Sequence, residues 1–166
     1  MSTRTHRLII TEVTDSDHCA VLRISGELDQ SCEEYFLGTL AAIVDAGRRH
    51  LVLDVTALVF CDSRGLNCLL AIRWLLRRMD GKLLLAGAGR RLSELLVQTG
   101  STEMLPVRRT VGLALFDLPA AERPRWPPSL ENDGKEEKDR SGGSDAKGGK
   151  DENAGPATTG GSDGPG

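Results

Sequence analysis

Residues 51–79, LVLDVTALVFCDSRGLNCLLAIRWLLRRM, constrain the fold more than any other stretch of the chain. The stretch opens on a β-branched and leucine run, the pattern of a strand covered on both faces. It passes through Cys61-Asp62-Ser63-Arg64-Gly65 and continues as a long helix. A strand that feeds a helix through a small polar turn puts that turn at the carboxyl end of a sheet. Amide groups at the helix start lack intrahelical partners there, and the helix dipole favours negative charge. Ser63 in that turn therefore has two readings: a helix cap, or a hydroxyl that bears a phosphate.

The flanking elements complete an α/β pattern. Residues 8–13 and 19–25 are β-prone runs around Asp15-Ser16-Asp17, which is turn chemistry, and they predict a hairpin. Gly26-Glu27-Leu28-Asp29 closes the second run. Ser31 followed by Glu34 reads as a capping box for a helix carrying Phe36, Leu40, Ile43 and Val44, with Gly47 as its stop. Residues 59–61 carry the strand on to the turn after a small break at 56–58. In the helix from Arg64, the wheel puts Cys68, Leu69, Ile72, Leu75, Leu76 and Met79 on the core side. Leu66, Leu70 and Trp74 fall on another face among Asn67, Arg73, Arg77 and Arg78. A strand at 82–86, a helix at 90–98, a short strand near 104–107 limited by Pro106, and a helix at 111–116 capped by Thr110 follow. Strands that alternate with helices predict parallel crossovers. The expected fold is a mixed sheet of four to five strands with about four helices mainly on one face. The expected domain is 1–118, and 119–166 reads as a disordered Gly/Pro/charged tail. Within that tail, Trp126 and Leu130 form a candidate docking segment.

Charge and composition narrow the function. Residues 1–120 hold 14 cationic and 14 anionic side chains, so the formal net charge of −3 lies wholly beyond them. That is no footprint for direct nucleic-acid binding. Cys19, Cys32, Cys61 and Cys68 lack metal-ligand spacing and read as buried thiols in a reducing compartment. No stretch has the make-up of a signal peptide or the length of a membrane span, so a cytoplasmic protein off the membrane is expected. There is no P-loop, no metal constellation and no histidine cluster with a nucleophile, which argues against an enzyme and for no cofactor.

Gly26-Glu27-Leu28-Asp29, the helix after it, and Phe60-Cys61-Asp62-Ser63-Arg64-Gly65-Leu66 together resemble the STAS domain, across about residues 7–118. The nearest group is the bacterial anti-sigma factor antagonists of the sporulation and general-stress type. The resemblance implies a partner switch in transcription regulation. The unphosphorylated antagonist docks on an anti-sigma factor, which is an ATP-dependent serine kinase of the histidine-kinase-like class, and the sigma factor is released. The kinase phosphorylates the serine after the aspartate, here Ser63, and the complex parts. A metal-dependent serine phosphatase resets it. The family often carries a second serine where this chain has Arg64, which leaves one acceptor hydroxyl and sets a cation beside it.

The expected docking surface surrounds Ser63: Asp29, Asp62, Arg64, Gly65, Leu66, Asn67, Leu70 and Trp74. Asp62 reads equally as a helix cap and as a group that orients Ser63. Gly65 is expected to admit the backbone of a kinase. Leu66 reads rather as a packed residue, whereas Trp74 among arginines reads as an interface anchor. Asp54, a carboxylate inside a strand, reads as structural. The alternative function is a scaffold or interaction subunit of a signalling or transport assembly in which the serine is silent.

Overall fold

The computed structural model describes residues 7–128. β1 (Leu8–Asp15) and β2 (Cys19–Leu28) form the expected antiparallel hairpin, with Leu8 opposite Gly26 and Asp15 opposite Ala20. α1 (Glu33–Asp45) follows, then β3 (His50–Asp54), β4 (Leu58–Cys61), α2 (Ser63–Arg77), β5 (Lys82–Ala86), α3 (Arg90–Gln98), β6 (Val107–Arg108) and α4 (Val111–Leu115). The sheet runs β1-β2-β3-β5-β6, with β4 also paired to β2, and all pairings but the hairpin are parallel.

Six strands replace the expected four to five. The chain breaks at Val55-Thr56-Ala57, where the Asp54 carboxylate accepts from the Thr56 amide at 3.1 Å and its hydroxyl at 2.6 Å. The break separates β3 from β4, and each pairs with a different half of β2: Cys19–Arg23 with β3, Gly26–Leu28 with β4. Asp54 is thus a turn-maker, and it also meets Arg23 at 3.5 Å. Pro106 keeps a place beside the sheet because its carbonyl, which proline retains, accepts from the Leu85 amide.

The alternation along β2 explains the layers. Ala20, Leu22 and Ile24 face a core built with Phe36 and Leu40 of α1, Leu69, Ile72 and Leu76 of α2, and Leu92 and Leu96 of α3. Cys19 and Val21 face the other way and join Val52, Leu84 and Ala86 under Val111, Ala114 and Leu115 of α4. Three helices therefore cover one face and one covers the other. Met79, assigned by the wheel to the core, is 41% exposed. The helix has ended by then, since Gly81 donates its amide back to the Leu76 carbonyl.

The chain stays on the fold past residue 118, the expected end of the domain. Ala120–Glu122 forms a 3₁₀ turn whose Glu122 reaches the start of β3. Its carboxylate takes Arg49 Nη2 at 2.6 Å and Arg49 Nε at 3.2 Å, and contacts His50 Nε2 at 2.7 Å. His50 is buried, and its Nδ1 accepts the Lys82 amide at 3.1 Å, so the ring proton sits on Nε2 and is donated to Glu122. Ser16 adds a hydroxyl bond to the Glu122 carbonyl at 2.8 Å. Trp126 lies beside Gly112 of α4. Leu130 and the rest of the candidate tail lie outside the described residues.

Candidate functional site

The carboxyl ends of β2 and β4 lie side by side, Leu28 opposite Cys61. Asp62 turns the chain from there into α2. Its amide donates to the Leu28 carbonyl at 3.4 Å, its Oδ1 accepts the Gly65 amide at 2.9 Å, and its carbonyl accepts the Leu66 amide at 2.9 Å. Asp62 is thus the N-cap of α2. Ser63 is the first residue of the helix and is exposed. Its hydroxyl has no hydrogen-bond partner among the described residues.

Gly65 and Leu66 are both buried, Leu66 as the packed residue expected. A β-carbon on Gly65 would stand 2.9 Å from Cys61 Sγ and closer still to the Leu28 carbonyl. The missing side chain lets the end of β2 pack directly against the first turn of α2. Leu66 is 3% exposed, inside the core with Leu69 and Ile72. Asn67 and Trp74 are exposed, and Leu70 is half-buried. Ser63, Asn67, Leu70 and Trp74 follow one another at helical spacing, so they form a stripe about 16 Å long down the outer side of α2. Trp74 is 60% exposed, with the Arg78 guanidinium 4.8 Å from its ring centroid.

The segment after β2 borders this turn. Asp29, not Ser31, caps the 3₁₀ turn Gln30–Cys32: its Oδ1 accepts the Ser31 amide at 2.9 Å and the Ser31 hydroxyl at 2.6 Å. The Ser31 hydroxyl bond holds the Asp29 carboxyl below its usual range. Cys32 Sγ receives the Asp29 amide at 3.3 Å, which replaces the expected Ser31–Glu34 box. The pairing of β2 with β4 brings Asp29, Gln30, Ser31, Glu34 and Asp62 together around a shallow open depression. Ser31 and Glu34 were legible only as helix-start residues, because their neighbour Asp62 lies far along the chain. Arg64 Nη1 stands 3.8 Å from Glu33 Oε2 on α1.

Burial pushes the Cys61 thiol up to about 12 and the Cys68 thiol to about 11, so neither forms a thiolate nucleophile at neutral pH. The nearest carboxylate, Asp62, is committed to the Gly65 amide. His50 lies at the start of β3, away from the turn. Among the described residues, no group of histidine, cysteine, aspartate and glutamate is arranged to hold a metal ion. No helix there is long and apolar enough to cross a membrane.

The STAS domain family model matches residues 11–114. The chain is 30% identical over 91 residues to BtrV of Bordetella bronchiseptica, which is named as an anti-sigma factor antagonist; the match covers 55% of this chain and 78% of BtrV. The fold resembles a crystal structure of an anti-sigma factor antagonist from Mycobacterium paratuberculosis, with a TM-score of 0.58, 26% identity, and coverage of 70% of this chain and 97% of that one. It also resembles SpoIIAA in its unphosphorylated form, with a TM-score of 0.56, 20% identity, and coverage of 66% of this chain and 94% of that one. With the mixed sheet, the capped turn and these likenesses in view, the chain belongs to the STAS domain family, in the company of the anti-sigma factor antagonists.

Proposed function

We propose that this protein is an anti-sigma factor antagonist switched at Ser63. Unmodified, it docks on an anti-sigma factor that is an ATP-dependent serine kinase, and the sigma factor goes free. The kinase moves the γ-phosphoryl group of ATP to Ser63 Oγ, the hydroxyl proton leaves, ADP is released, and the complex parts. A serine phosphatase restores the hydroxyl. The exchange takes place in the cytoplasm, with no direct contact to nucleic acid or membrane.

The observation that carries the reading is the setting of Ser63: an exposed, unengaged hydroxyl at the first position of a helix whose cap is made by its neighbour Asp62. A phosphate there projects from a helix N-terminus, where its charge is tolerated, so the domain need not unfold to accept it. It adds roughly −1.5 to −2 charges to the docking pole. Like-charge contacts across an interface cost several kcal/mol, about what is needed to reverse a binding equilibrium. SpoIIAA, which shares the fold, has also been solved in a phosphorylated form.

Phosphosite mapping by mass spectrometry on protein from its native cells, with Ser63→Ala as control, tests the switch. Phosphate on Ser63, lost in the control, is the expected result. No phosphate under any growth condition would overturn it in favour of a non-switching scaffold.

A further inference from the structure

Arg64 lies beside a carboxylate. Glu33 Oε2 is 3.8 Å from its Nη1, and the chain neighbours of this pair, Asp62 and Glu34, line a shallow depression with Asp29. The Arg64 and Glu33 side chains are 55% and 39% exposed. An ion pair so open to water is weakly held and readily exchanged. A phosphate on Ser63 would enter this anionic setting one residue from the guanidinium. Ser63 and Arg64 leave the helix about 100° apart, but the arginine stem is long enough to swing its head across the N-terminal rim. A guanidinium also prefers a phosphate dianion, which offers more charge and a matching pair of oxygens.

We propose that Arg64 is a charge-exchange residue: it pairs with Glu33 while Ser63 is unmodified and turns to the phosphate once Ser63 is phosphorylated. This rests on Ser63 being the acceptor. No covalent bond changes in the exchange; one ion pair replaces another. Its effect is to spread the switch. The docking surface gains the phosphate, has the Arg64 cation drawn onto it, and gains an unpaired Glu33 carboxylate on the first turn of α1. A serine at position 64 cannot do this, and a lysine keeps the charge without the fork.

The test uses full-length chain with phosphoserine placed at position 63 during translation. ³¹P NMR follows the second ionisation of the phosphate, and ¹⁵N NMR follows Arg64 Nε–H. The Arg64 resonance is expected to move downfield on phosphorylation. The phosphate pKa is expected to rise by roughly half a unit or more in Arg64→Ala, with Arg64→Lys between the two. An Arg64 resonance that stays put, or a phosphate pKa unchanged in Arg64→Ala, overturns the exchange. Because the phosphoserine is built in, that failure would leave Ser63 as a kinase substrate. An unphosphorylated Ser63 in cells would instead remove the switch, whatever the pairing.

Discussion

The Leu28 carbonyl oxygen stands 2.3 Å from the point a β-carbon would occupy on Gly65. The two residues are the contact through which the end of β2 seats the first turn of α2. A methyl group there must push backbone against backbone, which cannot be relieved by a side-chain rotation. Gly65→Ala is expected to lower stability by about 2–3 kcal/mol, or roughly 8–12 °C in Tm, and to displace Ser63 from its seat. Thermal and urea unfolding measure the first effect, and amide shifts of residues 62–66 the second. Wild-type stability with unmoved shifts would show that the contact has slack.

Asp62 is expected to act by hydrogen bonding rather than by charge, since its Oδ1 caps the Gly65 amide. Asp62→Ala should cost about 1 kcal/mol, while Asp62→Asn, an equally good cap, should stay within a few tenths of wild type. Urea unfolding separates them. Equal losses in the two variants would mean that the negative charge matters instead.

Trp74→Ala is expected to weaken binding to the anti-sigma partner by roughly tenfold or more, as loss of an aromatic anchor does. The ring is 60% exposed, so Tm should barely change. Calorimetry on the complex and a thermal melt of the free chain check both halves. A large fall in Tm would place the ring in the packing of the domain.

Acid should loosen the strand-start end of the fold in two stages. His50 is held neutral by burial and its pKa lies below the ordinary 6.5. The unfolded chain therefore takes up that proton first, and stability falls as pH drops through about 6.5. Glu122 is held at about 2 rather than 4.5, first by Arg49 and then by His50. Its contribution is full above about 4.5 and is lost as pH falls toward about 2. In Glu122→Gln the lower stage should vanish from a plot of Tm against pH. A lower stage that persists in the variant would assign it to other carboxylates.

What could be read from the chain followed the range of the interactions. The helices at 33–45 and 63–77 and the strands at 50–54 and 82–86 are set by local periodicity, and they lie within a residue or two of expectation. The pairing of β4 with the far half of β2 is set by packing across the sheet, so the break at Val55–Ala57 was visible while its consequence was not. The cap failed for a similar reason. Asp29–Cys32 and Ser31–Glu34 both have cap spacing, and the bonds to Cys32 Sγ decide between them. Asp62 as a cap and Trp74 as an exposed side chain were legible because each depends on one turn or one helix. Gly65 looked like an opening and is a packing contact, because Leu28 is distant in sequence. Glu122 sits in a proline-rich polar stretch, and nothing local marks Arg49 and His50 as its partners.

β2 touches both ends of the sheet: Ser16, just before it, holds the Glu122 carbonyl, and Leu28, its last residue, receives Asp62. A ten-residue strand spans roughly 30 Å. The Glu122 contacts and the Ser63 turn therefore occupy separate territories joined by a stiff rod. A substitution that breaks the Glu122 contacts is therefore felt at the strand-start end, while the Asp62 cap at the other end keeps its bonds.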